Sequence, residues 1–431
     1  MPAPPRDRMQ FTRAPEGPGS YIFNKFDLIS HKGVKVDLRR LFLDITIYED
    51  ITSPTLSGVV SISDAIGMYN NLPVFGEETL DLDFNSQHDG TSTKTKFARN
   101  YSVYKVADKL QLKQDLTTYN IYFASKEFEE NLKVKVSKAY NGKKSDEIVK
   151  LLLQEQAPRG LGSTTAYISE PSFYSENVVI PYWSPFEAIN WIKNRTLADA
   201  NNNAANYTFF ENRSGFNFVS IEKLLKQTPK FIYRHAAKNK SELQKQVFGV
   251  ESYQVIDTQD AAMNIRNGLY SGGLLIHDIV KKKFSFKEYD YLNAYQKTAH
   301  TATNPVQSTE SDRNSRPYAN YQYYPVHYNL FDNMAEGGNR VEHWMLQRKS
   351  LLQQLMTYRI VFRVKGNTDL QVGDMITFQM FMQNPENPQN RVSNKYHSGD
   401  YLVTAIKHQI THDDYYQTIE VVRDSYRQTV A

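Results

Sequence analysis

Asn367-Thr-Asp-Leu-Gln-Val-Gly-Asp374-Met-Ile-Thr-Phe378 is followed by Ser398-Gly-Asp-Tyr401-Leu-Val-Thr-Ala-Ile-Lys-His408-Gln-Ile410 and then by Tyr416-Gln-Thr-Ile-Glu-Val-Val-Arg-Asp424. Successive side chains of a strand point to opposite faces, so apolar residues at every second position mark a half-buried strand. Met375–Met380, Asp400–Ile410 and Tyr416–Val422 are therefore read as strands, with Tyr358–Lys365 before them. Turn chemistry separates them at Gly366-Asn367, Gly373-Asp374 and Asp413-Asp414.

The same pattern occurs near the N-terminus. Shifting the chain by 300 lays Tyr101-Ser-Val103-Tyr-Lys-Val106 on Tyr401-Leu-Val403-Thr-Ala-Ile406, and Thr118-Tyr-Asn-Ile121 on Thr418-Ile-Glu-Val421, without a gap between them. A Gly-acid turn precedes both copies, Gly76-Glu77 in one and Gly373-Asp374 in the other. Identities are few, and two unrelated hairpins of equal loop length would match as well, so duplication and coincidence both stay open. Around the first copy, Val36–Leu38 with Leu41–Ile47, Leu56–Ser63, Thr79–Phe84, Lys96–Val106 and Thr117–Ser125 form a five-strand set. Its connections are too short for parallel crossovers, so this domain is antiparallel.

Between the two β regions the period changes. Ser145-Asp-Glu-Ile148-Val-Lys-Leu151-Leu-Leu-Gln154 is helical, with a Ser cap and acids in the first turn. Ser184-Pro185-Phe-Glu187 opens a second helix with a capping box and Pro at the first helical position. A hairpin, Tyr207–Phe210 with Phe216–Val219, follows the Asn201-Asn-Asn turn. Asp257 and Thr258 are expected to cap a short helix ended by Gly268, with strands at Leu269–Val280 and Lys283–Tyr289. Asn339-Arg-Val-Glu342 reads as another capping box, leading a helix through Val341, Trp344, Met345 and Leu351.

The fold class expected is mainly β with an α+β insert: two antiparallel β-barrel modules plus a smaller α+β domain. The divisions are 1–20, a Pro-rich N-terminal arm, extended or disordered; 21–130, the first β domain; 131–235, the insert; and 236–295 with 355–431, the second β domain. Residues 296–354 are a long polar loop plus helix, with Tyr318, Tyr321, Tyr323 and Tyr324 clustered in it. A loop of that length usually contacts a partner.

Composition narrows the function. With 13% aromatic and 23% charged residues the 431-residue chain has enough to bury, and a net charge of +4 without a long like-charge block argues against nucleic-acid or membrane binding. The chain has no cysteine, which removes disulfides, thiolate catalysis and every zinc site needing Cys. No apolar run approaches the ~20 residues of a membrane helix. Arg6, Arg8 and Arg13 have no apolar stretch behind them, so no secretion signal and no membrane anchor are expected.

No phosphate loop, nucleophile elbow or HExxH helix occurs. Asp81-Leu-Asp83-Phe-Asn85 imitates a calcium loop, but Ser86 and Ser92 stand where Gly and the bidentate Glu belong. His408 and His412 have a metal-like spacing, yet they flank a hairpin turn that would hold them apart. Lys281-Lys-Lys283 with Phe284, Phe286, Tyr289 and Tyr291 could stack a nucleic-acid strand, although a solvated turn entering a strand explains it as well. Catalytic, cofactor-binding and metal residues are accordingly expected to be absent, as are cofactors and sequence-specific nucleic-acid binding.

The three C-terminal segments quoted above resemble the last strands of the contractile-tail hub family. This family comprises the baseplate central hub of T-even-like myophages, the late control D proteins of P2-like phages and the base of type VI secretion spikes. Ile180-Pro-Tyr-Trp-Ser184-Pro-Phe-Glu-Ala-Ile-Asn-Trp191-Ile is similar to a helix start in the family's insert domain, and Leu56-Ser-Gly-Val-Val-Ser-Ile62-Ser-Asp to a first-domain strand. The resemblance implies two tail-tube β modules per chain and a homotrimer that forms a pseudo-six-fold ring. Such a ring would join the hexameric tail tube, or tube-initiator proteins, to the trimeric central spike and leave a channel for DNA. It implies a structural, non-enzymatic virion protein, assembled in the host bacterial cytoplasm and touching other baseplate proteins. The chain ends at Ala431 soon after its last strand, which favours a separate hub over a fused spike. Alternatives are another baseplate or tail-tube adaptor, needing one module per chain, and a tail-associated cell-wall-degrading enzyme.

Overall fold

The computed structural model describes residues 18–68, 74–88, 91–92, 96–113, 116–199, 204–235, 248–257, 260–305, 320–326, 340–383 and 391–427. The Pro-rich arm up to residue 17, the Asn201-Asn-Asn turn, Thr258, Tyr318 and Asn339 lie outside them.

Alternation builds the first module. Its strands are β1 (Tyr21–Ile29), β2 (Phe42–Asp50), β3 (Ser57–Asp64), β4 (Thr79–His88), β5 (Phe97–Lys113) and β6 (Leu116–Ser125). On β3 every second residue is buried, so Val60 and Ile62 enter a core with Phe26, Ile45, Ile47, Leu82, Phe84 and Ile121. Each such side chain contributes about 1.5–3 kcal/mol on burial. Hydrogen bonding runs β2-β3-β6-β5-β4-β1, all antiparallel.

A compact α+β insert follows: α1 (Lys126–Lys133), β7 (Val136–Lys144), α2 (Ser145–Gln154), β8 (Ser175–Trp183), α3 (Pro185–Lys193), the hairpin β9 (Tyr207–Asn212) and β10 (Gly215–Ser220), and α4 (Ile221–Leu225). Ile148, Leu152, Ile189, Phe209 and Phe218 fill its core. At α3 the capping box forms: Glu187 accepts from the Ser184 N–H at 2.8 Å, and that bond, with Lys135 nearby, holds its carboxyl down at about 2. The Ser145 cap does not form, because Lys144 precedes the helix and Ser145 instead donates to Glu176 at 3.0 Å.

The second module repeats the first. Its strands are β11 (Phe231–His235), β12 (Ser252–Asp257), β16 (Tyr358–Lys365), β17 (Met375–Gln383), β18 (Gly399–Thr411) and β19 (Tyr415–Arg423). They are hydrogen-bonded in the order β12-β16-β19-β18-β17-β11, which is the first module's order taken from the same places in the chain. One polarity differs: β11 runs parallel to β17, whereas β1 runs antiparallel to β4.

Details of the register repeat too. The β5–β6 pairing slips between Val103 and Lys105, and the β18–β19 pairing between Val403 and Ala405. Val103 donates to the Glu78 carbonyl and Val403 to that of Asp374, each at 2.9 Å. The preceding glycines, Gly76 and Gly373, share φ of +94° and +91°, a conformation that L side chains rarely adopt. Glu78, and not Glu77, is thus the counterpart of Asp374. The ungapped match of the second strands is also corrected. Ile121 stands opposite Val106 as Ile419 stands opposite Ile406, so Ile121 corresponds to Ile419 and not to Val421. Two further slips in β5, at Ala107/Leu110 and Gln111/Lys113, absorb the difference, and Asp108 takes a φ of 59° at the first.

Between β12 and β16 the chain leaves the second module. It forms α5 (Ala261–Arg266), β13 (Ser271–Asp278), β14 (Lys283–Asp290), α6 (Tyr291–Tyr295), β15 (Tyr321–Val326) and α7 (Val341–Thr357). β13, β14 and β15 make a separate sheet, so 271–290 do not join the second barrel, and Tyr321–Tyr324 lie on a strand instead of in a loop. Asp260, accepting from Met263 N–H at 2.9 Å, caps α5 in place of Asp257. Arg340 stands at the start of α7 without a side-chain cap hydrogen bond, and Asn339 of the expected capping box lies outside the described residues.

Candidate assembly interface

The two modules meet edge to edge. β18 pairs antiparallel with β2, from Ala405 opposite Asp50 to Thr411 opposite Asp44, and fuses both into one sheet. Ile406 and Ile410 from one strand and Ile45 and Ile47 from the other face inward and are buried. Each strand also puts one polar residue in its inward row, Glu49 on β2 and His408 on β18.

These two polar residues answer each other. His408 Nε2 lies 3.3 Å from Glu49 Oε1, with both side chains fully buried. The contact is close but off the line of a well-aligned hydrogen bond. Glu49 Oε2 accepts from the Val372 N–H at 3.1 Å, and His408 Nδ1 shares a proton with Tyr415 OH at 2.7 Å. Burial alone would push the Glu49 carboxyl up; His408, with the Arg213 charge and the Val372 N–H, outweighs it and holds the carboxyl below its ordinary value. Gln417 continues the network by exchanging two bonds with the Asn367 backbone. Above the seam, Ser86 and Thr368 hydroxyls bond at 3.0 Å across the modules.

The insert clamps the junction. Thr208 donates to the Ile51 carbonyl at 2.7 Å, while Asn212 and Arg213 donate to Val372 and Leu370 carbonyls of the second module. Phe210, Val219 and Leu224 pack into the second module's core. Glu211 Oε2 accepts from Leu56 N–H at 3.0 Å and from Ser125 OH, and its other oxygen lies 3.4 Å from Arg99. Burial outweighs those partners and pushes its carboxyl up to about 7. A raised carboxyl beside a polar groove is a common mark of catalysis. Here both oxygens are committed to the protein, and the side chain is 1% exposed.

The other sequence candidates are dispersed. Asp81 pairs with Lys25 at 3.2 Å and Asp83 accepts from Asn24 at 2.8 Å, on a strand and not in a calcium loop. The His412 ring packs on Phe42 with centroids 4.3 Å apart, while His408 is engaged at the seam. No group of three or more His, Asp or Glu suited to a metal occurs among the described residues. Nor is any described helix long and apolar enough to cross a membrane. Lys282, at φ 53°, forms the turn into β14, and Phe284 stacks on His277 at 4.2 Å. Sequence reasoning missed Glu49, which lies just past the expected end of its strand; the signal was a lone acid in phase with Ile45 and Ile47.

No family model matches the chain. A probable baseplate hub protein of Vibrio phage KVP40 is 23% identical over 394 residues, covering 88% of this chain and 89% of that protein. A tail protein from Neisseria meningitidis MC58 superposes with a TM-score of 0.52 at 10% identity, over 94% of this chain and 97% of that one. The 43 kDa tail protein of prophage MuSo2 from Shewanella oneidensis gives 0.52 at 9% identity, over 94% and 99%. The chain resembles a probable phage baseplate hub protein in sequence and tail proteins in fold. That agrees with the resemblance read from the C-terminal strands, the insert helix start and the first-domain strand.

Proposed function

We propose that the chain is a structural hub subunit of a phage contractile-tail baseplate. Three copies form a pseudo-six-fold ring that joins the hexameric tail tube to the trimeric central spike and leaves a channel for DNA. The observation carrying this reading is the duplication: one strand order, one bulge and one glycine-led turn, each made twice in a chain and joined edge to edge. A three-fold object with two like modules per chain offers six similar edges, which reconciles a six-fold tube with a three-fold spike. The protein acts without catalysis or cofactor and resides in the virion tail, after assembly in the host cytoplasm. Residues 1–20 and 296–340 contact other baseplate proteins.

The test is native mass spectrometry of the purified protein, alone and with its spike, together with electron-microscopic class averages. The expected result is three chains in a ring of three-fold or pseudo-six-fold outline. A monodisperse monomer at every concentration, with and without spike, rules the reading out.

A further inference from the structure

Asparagine followed by glycine is the peptide step most prone to lose its amide, because glycine has no side chain to keep its nitrogen away from the asparagine's own carboxamide. The chain has two such steps, Asn141-Gly142 and Asn267-Gly268. Their settings differ.

Asn141 is exposed on β7. There the β7–β8 pairing slips: Tyr140 lies opposite Val178 and Lys143 opposite Glu176, so Asn141 and Gly142 together face Asn177. This is a two-against-one bulge, with Gly142 in the left-handed region at φ +62°. Beyond its chain neighbours, no atom lies within 4 Å of where a Gly142 Cβ would stand, so the backbone there has room to move. The Gly142 N–H donates to Asn177 Oδ1 at 2.7 Å.

Asn267 closes α5 with a ψ of −3°, and its own N–H bonds back into the helix. Gly268 is buried, donates to the Ile265 carbonyl at 3.1 Å, and would bring a Cβ 2.7 Å from Asn320 Nδ2. Ring closure at this step would have to unwind the helix end against that packing.

We infer that Asn141 is a site of spontaneous deamidation and that Asn177 restrains it. Gly142 N gives up its proton to solvent base and attacks Asn141 Cγ, forming an N–Cγ bond. The Cγ–Nδ2 bond breaks, and the amide leaves as ammonia with a proton from water. Water then opens the cyclic imide at either carbonyl, leaving aspartate or its β-linked isomer; no oxidant, reductant or cofactor takes part. The attacking nitrogen is the one whose proton Asn177 holds, so that bond is given up before the ring closes.

Either product sets a new negative charge on β7. The β-linked product also adds a carbon to the main chain just ahead of Lys143 and Lys144, which lie opposite Glu176 and Ser175. Lys144 leads directly into α2, whose Ser145 donates to Glu176 at 3.0 Å. Ageing at this step therefore loosens the start of α2.

The full chain is incubated at neutral and at mildly alkaline pH and mapped by peptide mass spectrometry, with fragmentation that separates aspartate from its β-linked isomer. Amide loss is expected at Asn141 ahead of Asn267, faster at the higher pH, with both products present. Asn177→Ala should speed it about fivefold, the factor that one modest hydrogen bond represents. The same variant should speed hydrogen exchange at the Gly142 amide. Asn177→Asp keeps an acceptor oxygen and should stay near the wild-type rate. Loss at Asn267 ahead of Asn141, or no loss at Asn141 even in Asn177→Ala, overturns the site. Equal rates in wild type and Asn177→Ala overturn the restraint, as does an Asn177→Asp rate that matches Asn177→Ala.

Discussion

Replacing His408 by Leu removes one member of a fully buried pair and leaves the other. Leu fills similar space, so what is lost is polar: the contact with Glu49 and the bond to Tyr415. Glu49 keeps the Val372 N–H and the Arg213 charge but loses its close contact with the His408 ring. Stranding one charge of a buried pair costs ~3–5 kcal/mol, and the two remaining partners put this case at about 3. The pH dependence has a definite sign. In the native protein the Glu49 carboxyl is held below its ordinary value of 4.5, so its contribution is present above that pH and fades as pH falls through the lower folded value. In His408→Leu, burial dominates and the carboxyl rises, so the defect is full at pH 7 and shrinks as Glu49 takes up a proton. Hydrogen exchange of the peptide spanning 405–411 reads local opening directly. At pH 7, about 3 kcal/mol corresponds to exchange faster by about a hundredfold where opening is limiting. Adding Glu49→Gln should recover much of the loss, since no charge then stays stranded. A defect under about 1 kcal/mol, or one of equal size at pH 7 and pH 4.5, would refute the assignment of Glu49 and His408 as a mutually dependent pair.

Glu211→Gln tests the insert clamp. With its carboxyl raised from 4.5 to about 7, the native fold favours the protonated form, so its share of stability is complete below pH 4.5 and falls by about 3 kcal/mol as pH rises to 7. The variant should lack that fall in urea unfolding across this range; parallel profiles would exclude the clamp as its source. Gly366→Ala places a Cβ 2.0 Å from the Tyr415 ring, whose hydroxyl holds His408. Displacing that buried ring should cost about 1–3 kcal/mol in denaturant midpoint analysis, and an unchanged midpoint would show that the ring yields freely.

The strands were legible because alternation is local: on β19 Tyr415, Gln417, Ile419 and Val421 enter the core in turn, and the period shows it. The duplication was legible for the same reason, since Tyr101 and Tyr401, Val103 and Val403 are all buried at matching steps of matching bulges. What failed depends on backbone irregularity or on distant partners. Nothing local announces that β5 absorbs two extra residues around Asp108 and Gln111. β15, with Tyr-Gln-Tyr-Tyr-Pro-Val, has no clear apolar alternation and pairs in parallel with β13, a partner some fifty residues earlier in the chain. The Ser145 cap has the right residue type, but capping depends on where the preceding strand delivers the chain. The Glu49–His408 pair joins residues at opposite ends of the sequence, so neither strand alone could reveal it.

The β2–β18 seam also bears on how readily a ring of such modules could assemble. Because both strands belong to one polypeptide, this joint forms during folding and is insensitive to dilution. Tethering replaces an encounter in solution with an effective concentration set by the connecting chain, in the millimolar range for short flexible links, and the clamped insert fixes the geometry further. Half the joints would therefore be set before any two copies meet. Those left open are the concentration-dependent ones, so the amount of chain present would govern when a ring closes.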